Sequence, residues 1–267
     1  MKTFVRFFLL LFLFGCTGND PVSFFKKGTW VDLTHEFDEN TVYWPTNIPF
    51  RHDTVFYGMT DQGYFYSSFR YSAEEHGGTH FDAPFHFGKG KSSIEKVPLS
   101  QLVGEGIVID VSEKALKDRD YQVSIKDFES WEKQNGKIPE QAMILIRTGY
   151  SQFWNDHLRY MGTVKKGAEG VAELHFPALH PDAAKWLATQ RKINGIGVDT
   201  PGIDYGQSKD FMTHRTLFQH DLTAYENLTN LDKLPSRGFY VVALPMKIKG
   251  GSGAPLRIIA WIPDPNE

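Results

Sequence analysis

The stretch from His76 to His86 constrains this 267-residue chain more than any other part of its sequence. It reads His-Gly-Gly-Thr-His-Phe-Asp-Ala-Pro-Phe-His, so three of the chain's ten histidines and one carboxylate alternate with glycine, proline and apolar residues. Neutral imidazole and carboxylate are the ligands that zinc and related divalent ions prefer. Because no packing requirement explains this alternation, the stretch predicts a metal site that activates water, and hence a hydrolase.

The spacing within this stretch, which we call the histidine run, predicts a compact half-site. Residues two apart on a strand share one face, so His80 and Asp82 are expected to point the same way. The two glycines after His76 can adopt positive φ and fold that residue back toward the same point. We therefore place the run on a strand, a turn and a second short strand. His86 is close enough to be a further ligand or a proton carrier, and an imidazole pKa near 6.5 suits acid–base catalysis at neutral pH.

Hydrophobic patterning predicts an α/β domain with a mixed sheet. The predicted strands cover Trp30–Thr34, Phe65–Tyr71, Gly106–Val111, Ala142–Thr148, Ile196–Val198, Phe239–Leu244 and Leu256–Ile262. Ser124 and Asp127 form a capping pair for a helix that ends near Asn135, and Pro181 opens a second helix that reaches about Arg191. Strands that alternate with helices in the middle, and strands at both ends, favour a single domain over residues 29–267.

Composition narrows the possible functions. An apolar fraction of 41% in 267 residues is enough for one large hydrophobic core, and 14% aromatic residues suit an apolar pocket. The formal net charge is −3, and basic residues cluster only in short pairs such as Lys165-Lys166. We therefore expect no nucleic-acid partner.

The N-terminus has the features of an export signal. Lys2 and Arg6 precede an apolar run from Phe7 to Phe14, which is shorter than the ~20 residues that span a bilayer. The ending Leu-Phe-Gly-Cys at Cys16 resembles a bacterial lipoprotein processing site, although a simple signal peptide or an uncleaved anchor would share these features. We expect a signal over residues 1–16, lipid on Cys16 and a tether over residues 17–28. The protein would then be exported to the periplasm or cell envelope and reach the membrane only through this anchor.

The histidine run resembles the signature of the cyclase family, which includes bacterial kynurenine formamidase and isatin hydrolase. Other segments resemble the same family in the same order: Asp32-Leu33-Thr34-His35 with Trp44-Pro45, Asp199–Asp204, His214–Leu217, Glu226-Asn227-Leu228, Ala243–Lys247 and Gly250–Pro255. The resemblance covers most of the chain outside the signal. It implies the mixed-sheet α/β domain of that family, of the swivelling β/β/α-like type.

Carried over residue by residue, the resemblance implies a metal centre for one or two divalent ions, zinc or manganese. The implied metal ligands are His76, His80, Asp82, His214 and Glu226. Asp82 could bridge two ions, and His86 would carry the proton. The apolar neighbours of Glu226 independently suggest a buried carboxylate, which would need a partner. The chain departs from the family at Gly202, where serine is frequent, and this puts the local geometry in question.

The resemblance also implies a reaction. The substrate would be a small aryl amide, either the formamide of N-formylkynurenine or the ring amide of isatin. Trp44 could bind the aromatic ring in a flat slot, or it could simply pack in the core. Tryptophan breakdown is usually cytoplasmic, so the export signal weakens the kynurenine assignment in particular.

Two other classes of function remain open at this point. One is a lipid-anchored protein that binds a metal or a small acid without turnover, and the other is a metal-dependent dehydratase or cyclase. Members of the family are commonly dimers or tetramers, so the resemblance also implies a homo-oligomer.

Overall fold

We describe residues 27–264 of the chain from a computed structural model. The expected signal, residues 1–16, and nearly all of the expected tether lie outside the described residues, so the lipidation of Cys16 stays a prediction. None of the helices within residues 27–264 combines the length and the apolar character that a membrane crossing requires.

Strands supply the framework of the described residues. In chain order they are β1 (Gly28–Asp32), β2 (Arg51–Met59), β3 (Phe65–Ser72), β4 (His80–Asp82), β5 (Val103–Asp110), β6 (Gln122–Val123), β7 (Met143–Arg147), β8 (Ala178–Leu179), β9 (Gly195–Val198), β10 (Thr223–Glu226), β11 (Phe239–Pro245) and β12 (Gly253–Pro263).

The helices between these strands are short. The α-helices are α1 (Leu99–Leu102), α2 (Ser112–Ala115), α3 (Ile125–Asn135), α4 (His157–Met161), α5 (Gly167–Ala172), α6 (Pro181–Trp186) and α7 (Met212–Gln219). Single 3₁₀ turns cover Pro84–His86, Ile94–Lys96, Tyr150–Phe153 and Leu231–Lys233, and a π turn covers Leu187–Arg191.

The main sheet closes on itself like a barrel. Its strands pair in the order β12-β11-β5-β7-β9-β10-β4, and β4 also pairs with β12 to complete the circuit, while β1 adds to β12 from outside. The strands β5, β7, β9 and β10 are parallel, and every pairing that involves β4, β11 or β12 is antiparallel. The mixed-sheet α/β class predicted from the sequence is therefore confirmed.

The central strands are buried on both faces, and their continuous apolar sequences follow from this. In β5, Ile107 and Ile109 pack with the helices on one side of the sheet, whereas Val108 packs within the core on the other side. The helical side chains of the first core include Phe128, Trp131, Ala183 and Leu217.

Most of the predicted elements are confirmed, and the exceptions have local causes. The predicted strands correspond, within a few residues, to β1, β3, β5, β7, β9, β11 and β12. Ser124 and Asp127 form a capping box at the start of α3. The predicted helix from Pro181 to Arg191 is α6 followed by the π turn.

The prediction for the histidine run was wrong in part. Its only strand is β4, since His76 lies in the bend before it and His86 ends a 3₁₀ turn. Pro84 begins that turn because proline lacks the N–H that a further strand would need.

The strand β4 determines where the functional residues lie. It fills the seam of the barrel between β10 and β12, with His80 opposite Glu226 on one side and Asp82 opposite Gly253 on the other. Residues directly opposite in antiparallel strands share a face. The closure of the barrel therefore places side chains from distant parts of the chain next to each other.

Candidate metal centre and pocket

The first pair of candidate ligands is built by the pairing of β4 with β10. His80 and Asp82 lie on one face of β4, and the Nε2 atom of His80 is 3.1 Å from Oδ1 of Asp82. The same Nε2 atom is 3.4 Å from Oε2 of Glu226. All three side chains are buried, with no more than 5% of each residue exposed.

His76 reaches the same point from the bend before β4. Its Nδ1 atom lies 2.7 Å from Oδ1 of Asp82, and its Nε2 atom lies 2.8 Å from Oγ of Ser252. Gly78 has φ +59°, and a Cβ atom on Gly77 would collide with the ring of Tyr43. The bend therefore requires both glycines, as the sequence suggested.

The two carboxylate oxygens of Asp82 face different imidazoles. Oδ1 faces His76 and His80, whereas Oδ2 lies 3.5 Å from Nε2 of His214. That Nε2 atom is also 3.2 Å from Oε1 of Glu226. The structure thus brings together all five side chains that the resemblance named as ligands.

His214 is oriented by a residue to which the sequence analysis gave no role. Oδ2 of Asp204 accepts hydrogen bonds from the backbone N–H of His214 at 3.0 Å and from its Nδ1 atom at 2.6 Å. This contact leaves Nε2 of His214 directed at Asp82 and Glu226. Carboxylate–imidazole pairs of this kind fix the tautomer and the direction of a metal-binding histidine.

The charges in the site are strongly interdependent. Burial alone would raise the pKa of Asp82, but the imidazoles of His76 and His80 outweigh burial and hold it well below its usual range. Burial alone would lower the pKa of His80, whereas Asp82 raises it to about 9. Burial would also lower the pKa of His214, which Asp204 holds well above its ordinary value. Ionised carboxylates thus face imidazoles whose protons a divalent ion would displace.

The donor set fits a divalent ion. Two groups of three side chains each bring their ligand atoms within 4.8 Å of one another. The first group is His76, His80 and Asp82, and the second is Asp82, His86 and His214. Oδ2 of Asp82 is buried and has no hydrogen-bond partner within residues 27–264. Imidazole nitrogens and carboxylate oxygens without sulfur suit zinc or manganese. Asp82 belongs to both groups, so its position is compatible with one ion or two.

His86 lies at the edge of this cluster. Its ring stacks on the ring of His76 with a centroid separation of 3.7 Å, and it meets the ring of Phe87 edge-on at 4.5 Å. Burial lowers the pKa of His86 to about 3, so the ring is neutral near pH 7. A neutral imidazole beside the other ligands can accept a proton or can itself bind a metal.

A cavity of about 290 Å³ opens over the cluster. Its lining includes four of the site histidines and an aromatic wall formed by Tyr43, Trp44, Phe87, Tyr205 and Phe211. Trp44 packs edge-on against Phe176 at 6.4 Å, so it belongs both to the wall and to a small core cluster.

Tyr43 brings a polar atom to this wall. Its hydroxyl is buried without a hydrogen-bond partner within residues 27–264. Burial and the nearby carboxylate of Glu74 raise the pKa of Tyr43 to about 12. The hydroxyl therefore stays protonated and can donate a hydrogen bond.

Gly202, which stands where serine is frequent in the family, also lines the cavity. A Cβ atom at this position would meet no other atom nearer than 3.5 Å, so a serine would fit. Next to it, the N–H of Ile203 donates to Oε1 of Glu226 at 2.8 Å. The glycine thus leaves open space in the cavity, and the carboxylate of Glu226 is still held by backbone.

A second residue missed by the sequence analysis is Asn227. Its Nδ2 atom donates to the carbonyl of Gly78 at 2.7 Å, and the hydroxyl of Tyr160 donates to its Oδ1 atom at 2.9 Å. The same carbonyl of Gly78 lies 3.0 Å from Nδ1 of His80. Asn227 therefore fixes the group that orients His80. Its sequence signal was its place in the family-like segment Glu226-Asn227-Leu228, which gave it no role of its own.

Comparison with known proteins shows that the chain is similar to isatin hydrolases and kynurenine formamidases and belongs to the cyclase family. A family model described as "Putative cyclase" matches residues 31–205, which include the whole histidine run. An isatin hydrolase of Roseibium aggregatum is 32% identical over 197 residues, or 71% of this chain and 72% of that protein. A kynurenine formamidase of Bacillus cereus is 26% identical over 238 residues, or 88% of this chain and 98% of that protein.

The likeness extends to three dimensions. Isatin hydrolase A from Labrenzia aggregata, solved bound to benzyl benzoate, superposes on the chain with a TM-score of 0.81 and 32% sequence identity. The match covers 90% of this chain and 95% of that one.

The contact between Asn227 and Gly78 leads to a prediction about metal affinity. Loss of the amide in an Asn227→Ala variant should weaken metal binding by about 10–100-fold, because partners that orient ligands contribute on this scale. Titration of the chelator-treated protein with zinc, followed by calorimetry, measures the change.

Asn230 offers a matched control for this variant. It has nearly the same positive φ as Asn227, but its amide donates to the carbonyl of Asp32 away from the site. Asn230→Ala should therefore leave metal affinity unchanged. Equal losses in the two variants would mean that backbone strain, and not the orientation of His80, controls binding.

Proposed function

Because the chain belongs to the cyclase family, we propose that it is a metal-dependent hydrolase that cleaves the amide bond of a small aryl amide. The convergence of imidazoles from three separate segments on the buried carboxylate of Asp82 carries this proposal. The named relatives support it, since isatin hydrolase and kynurenine formamidase both cleave C–N bonds other than peptide bonds.

The side chains around Asp82 would hold the metal. His76, His80 and Asp82 form the first group of donors, and His214 faces the other oxygen of Asp82. Glu226 lies between the two sides, with one oxygen near His80 and the other near His214. An ion bound there would supply Lewis-acid polarisation of the amide carbonyl and would lower the pKa of bound water. Asp204 and the carbonyl of Gly78 keep two of the imidazoles aimed at the site.

His86 is the residue proposed to move the proton. It is neutral near pH 7, lies in the cavity wall and has a ring nitrogen within 4.8 Å of ligand atoms of Asp82 and His214. It would accept a proton from the attacking water and return it to the nitrogen that leaves when the C–N bond breaks. This transfer balances the reaction without any other acid or base.

The cavity favours a small aromatic substrate. Its volume of about 290 Å³ is close to the lower end of the ~300–1,000 Å³ typical of ligand pockets. Trp44 and its neighbours provide flat apolar surface on which an aromatic ring can pack. We propose a cyclic aryl amide of the isatin type ahead of N-formylkynurenine, because identity is higher to isatin hydrolase and the N-terminal sequence has the features of an export signal.

Replacement of His80 and of His86 should separate metal binding from proton transfer. His80→Ala removes a buried ligand, so the bound ion and amide hydrolysis should be lost together. His86→Ala should keep most of the bound ion while kcat falls by about 10²–10⁴-fold, the usual contribution of a general acid–base group. Metal content by mass spectrometry and steady-state kinetics on the same preparations measure both quantities.

His220 provides the control for these variants, since it is exposed at the end of α7. His220→Ala should match the wild-type protein in metal content and kcat. Retained hydrolysis in His80→Ala would contradict the proposed chemistry, and unchanged hydrolysis in His86→Ala would remove its proton-transfer role.

A substrate panel tests the proposed specificity. Isatin-like cyclic amides, N-formylkynurenine and aryl lactones should be hydrolysed in that order of kcat/KM, as followed by absorbance. Trp44→Leu should raise KM for the aryl amide by about 2–10-fold, since a ring contact contributes ~0.5–1.5 kcal/mol. Trp30→Leu is the matched control, because Trp30 is 46% exposed and does not line the cavity. Turnover of none of these compounds would favour a binding protein instead.

We also propose that the enzyme acts at the cell envelope and is held there by lipid on Cys16. The support is the basic start, the short apolar run and the only cysteine of the chain at the expected processing site. Metabolic labelling with an alkyne fatty acid should mark the wild-type protein and not the Cys16→Ser variant. Equal labelling of the two would rule out this anchor.

A further inference from the structure

The glycine-rich segment from Gly250 to Gly253, which leads into β12, contacts the first group of candidate ligands through a hydroxyl. Oγ of Ser252 lies 2.8 Å from Nε2 of His76. The other ring nitrogen of His76, Nδ1, faces Oδ1 of Asp82 at 2.7 Å. The imidazole of His76 is therefore held between a serine on one side and the central carboxylate of the site on the other.

The hydroxyl of Ser252 is held in turn by Glu75, the residue directly before His76. Oε2 of Glu75 accepts hydrogen bonds from Oγ of Ser252 at 2.6 Å, from the backbone N–H of Ser252 at 2.8 Å and from that of Gly253 at 3.2 Å. Two successive backbone N–H groups and a hydroxyl thus converge on one carboxylate oxygen. This contact fixes the rotamer of Ser252 as well as its place in the segment.

The glycines on either side of Ser252 make these contacts possible. A Cβ atom on Gly251 would lie 2.9 Å from Oε1 of Glu75, and one on Gly253 would lie 2.5 Å from Cε1 of His76. Both distances are shorter than carbon atoms tolerate against such neighbours. The glycine-rich sequence therefore lets the backbone approach Glu75 and His76 closely enough for one serine to contact both.

The donors and acceptors in this series of contacts favour one arrangement of protons. A carboxylate has no hydrogen to donate, so the single hydrogen of the Ser252 hydroxyl goes to Glu75. The hydroxyl oxygen is then left to accept from His76, which requires a proton on Nε2. An imidazole that binds a metal keeps a proton on one nitrogen alone, so Nδ1 is the atom of His76 that remains for an ion.

The other two imidazoles that face Asp82 are held in the opposite sense. Nδ1 of His80 lies 3.0 Å from the carbonyl of Gly78, and Nδ1 of His214 lies 2.6 Å from Oδ2 of Asp204. In both rings Nε2 is the nitrogen that faces the carboxylates of the site. His76 therefore needs a partner that fixes the opposite tautomer.

We propose that Glu75 and Ser252 act together as a positioning pair that keeps the proton of His76 on Nε2 and so presents Nδ1 to the metal. This inference rests on the proposed metal centre and adds two residues to it. Neither of them is among the residues that line the cavity. The pair therefore acts through His76 and not on the substrate.

The zinc affinity of the full-length protein tests the pair. Glu75→Ala and Ser252→Ala should each weaken zinc binding by about 10–100-fold, the scale on which partners of metal-binding histidines contribute. Because both residues act through one hydrogen bond, the double variant should lose little more than either single variant. Glu75→Gln keeps an oxygen that can accept from the same donors, so it should bind zinc nearly as tightly as the wild-type protein. Calorimetric titration of chelator-treated protein measures all four.

Glu95 provides the matched control. Its Oε2 atom accepts from the backbone N–H of Gly250 at 3.0 Å, so it binds the same segment two residues before Ser252. The carbonyl of Ser252 also accepts from the N–H of Ala83 at 2.8 Å, a backbone contact that none of these substitutions removes. Glu95→Ala should therefore leave zinc affinity unchanged. Equal losses in Glu95→Ala and Glu75→Ala would overturn the proposal, because the segment as a whole would then control affinity.

A spectroscopic signature separates positioning from a structural role. NMR of the zinc-loaded protein with nitrogen-15-labelled histidine should show a slowly exchanging proton on Nε2 of His76 and none on Nδ1, with the signal assigned by its absence in His76→Gln. At saturating zinc, Glu75→Ala and Ser252→Ala should lose this slow exchange while the signals of His80 and His214 stay. A proton on Nδ1 of His76 in the zinc-loaded wild-type protein, or additive losses of affinity in the double variant, would overturn the proposal.

These measurements distinguish a failure of the pair from a failure of the proposed function. None of them depends on the hydrolysis of an amide, so the expected signature without turnover would support the pair and count against the proposed reaction alone. Tight zinc binding in Glu75→Ala would overturn the pair and leave the metal centre in place. A protein that takes up no zinc would overturn both.

Discussion

The buried carboxylate of Asp82 is the group on which the rest of the site depends. Only 1% of this residue is exposed, and a carboxylate in such a place is unfavourable by several kcal/mol unless charge of the opposite sign surrounds it. The fold meets this requirement from three directions. His76 and His80 face one oxygen, and His214 faces the other. The same arrangement that stabilises the carboxylate creates a set of donor atoms around a common point.

The closed sheet makes this convergence possible. The strand β4 is only three residues long, yet it pairs on both sides and so completes the barrel. Asp82 in β4 is opposite Gly253 in β12. A Cβ atom on Gly253 would approach Cε1 of His76 to 2.5 Å. The approach of His76 to Asp82 therefore needs a glycine on a distant strand as well as those beside His76. Stability of the barrel and geometry of the site are coupled for this reason.

Local signals in the sequence were enough to predict the class of fold, most strands and the three ligands at the start of the histidine run. Alternation with period two and the two glycines placed His80, Asp82 and His76 together, because those effects act within a few residues. The ligand role of His214 came only from a family resemblance, and for Glu226 the sequence added only the hint that its carboxylate is buried. Their position next to Asp82 depends on strand pairing between remote segments. Asp204 and Asn227 were missed because each acts on a backbone or imidazole group that the fold alone brings near. The partner strand β2 was also missed, since Arg51, His52 and Asp53 at its start read as polar loop.

X-ray absorption spectroscopy of metal bound to the full-length protein tests the central claim most directly. A divalent ion held by the cluster around Asp82 should show only nitrogen and oxygen neighbours, at about 2.0–2.2 Å, with outer-shell scattering from at least two imidazole rings. Replacement of Asp82 by Ala should remove that signal. A protein that binds no ion in stoichiometric amount, or an ion surrounded by water oxygens without imidazole scattering, would contradict the account.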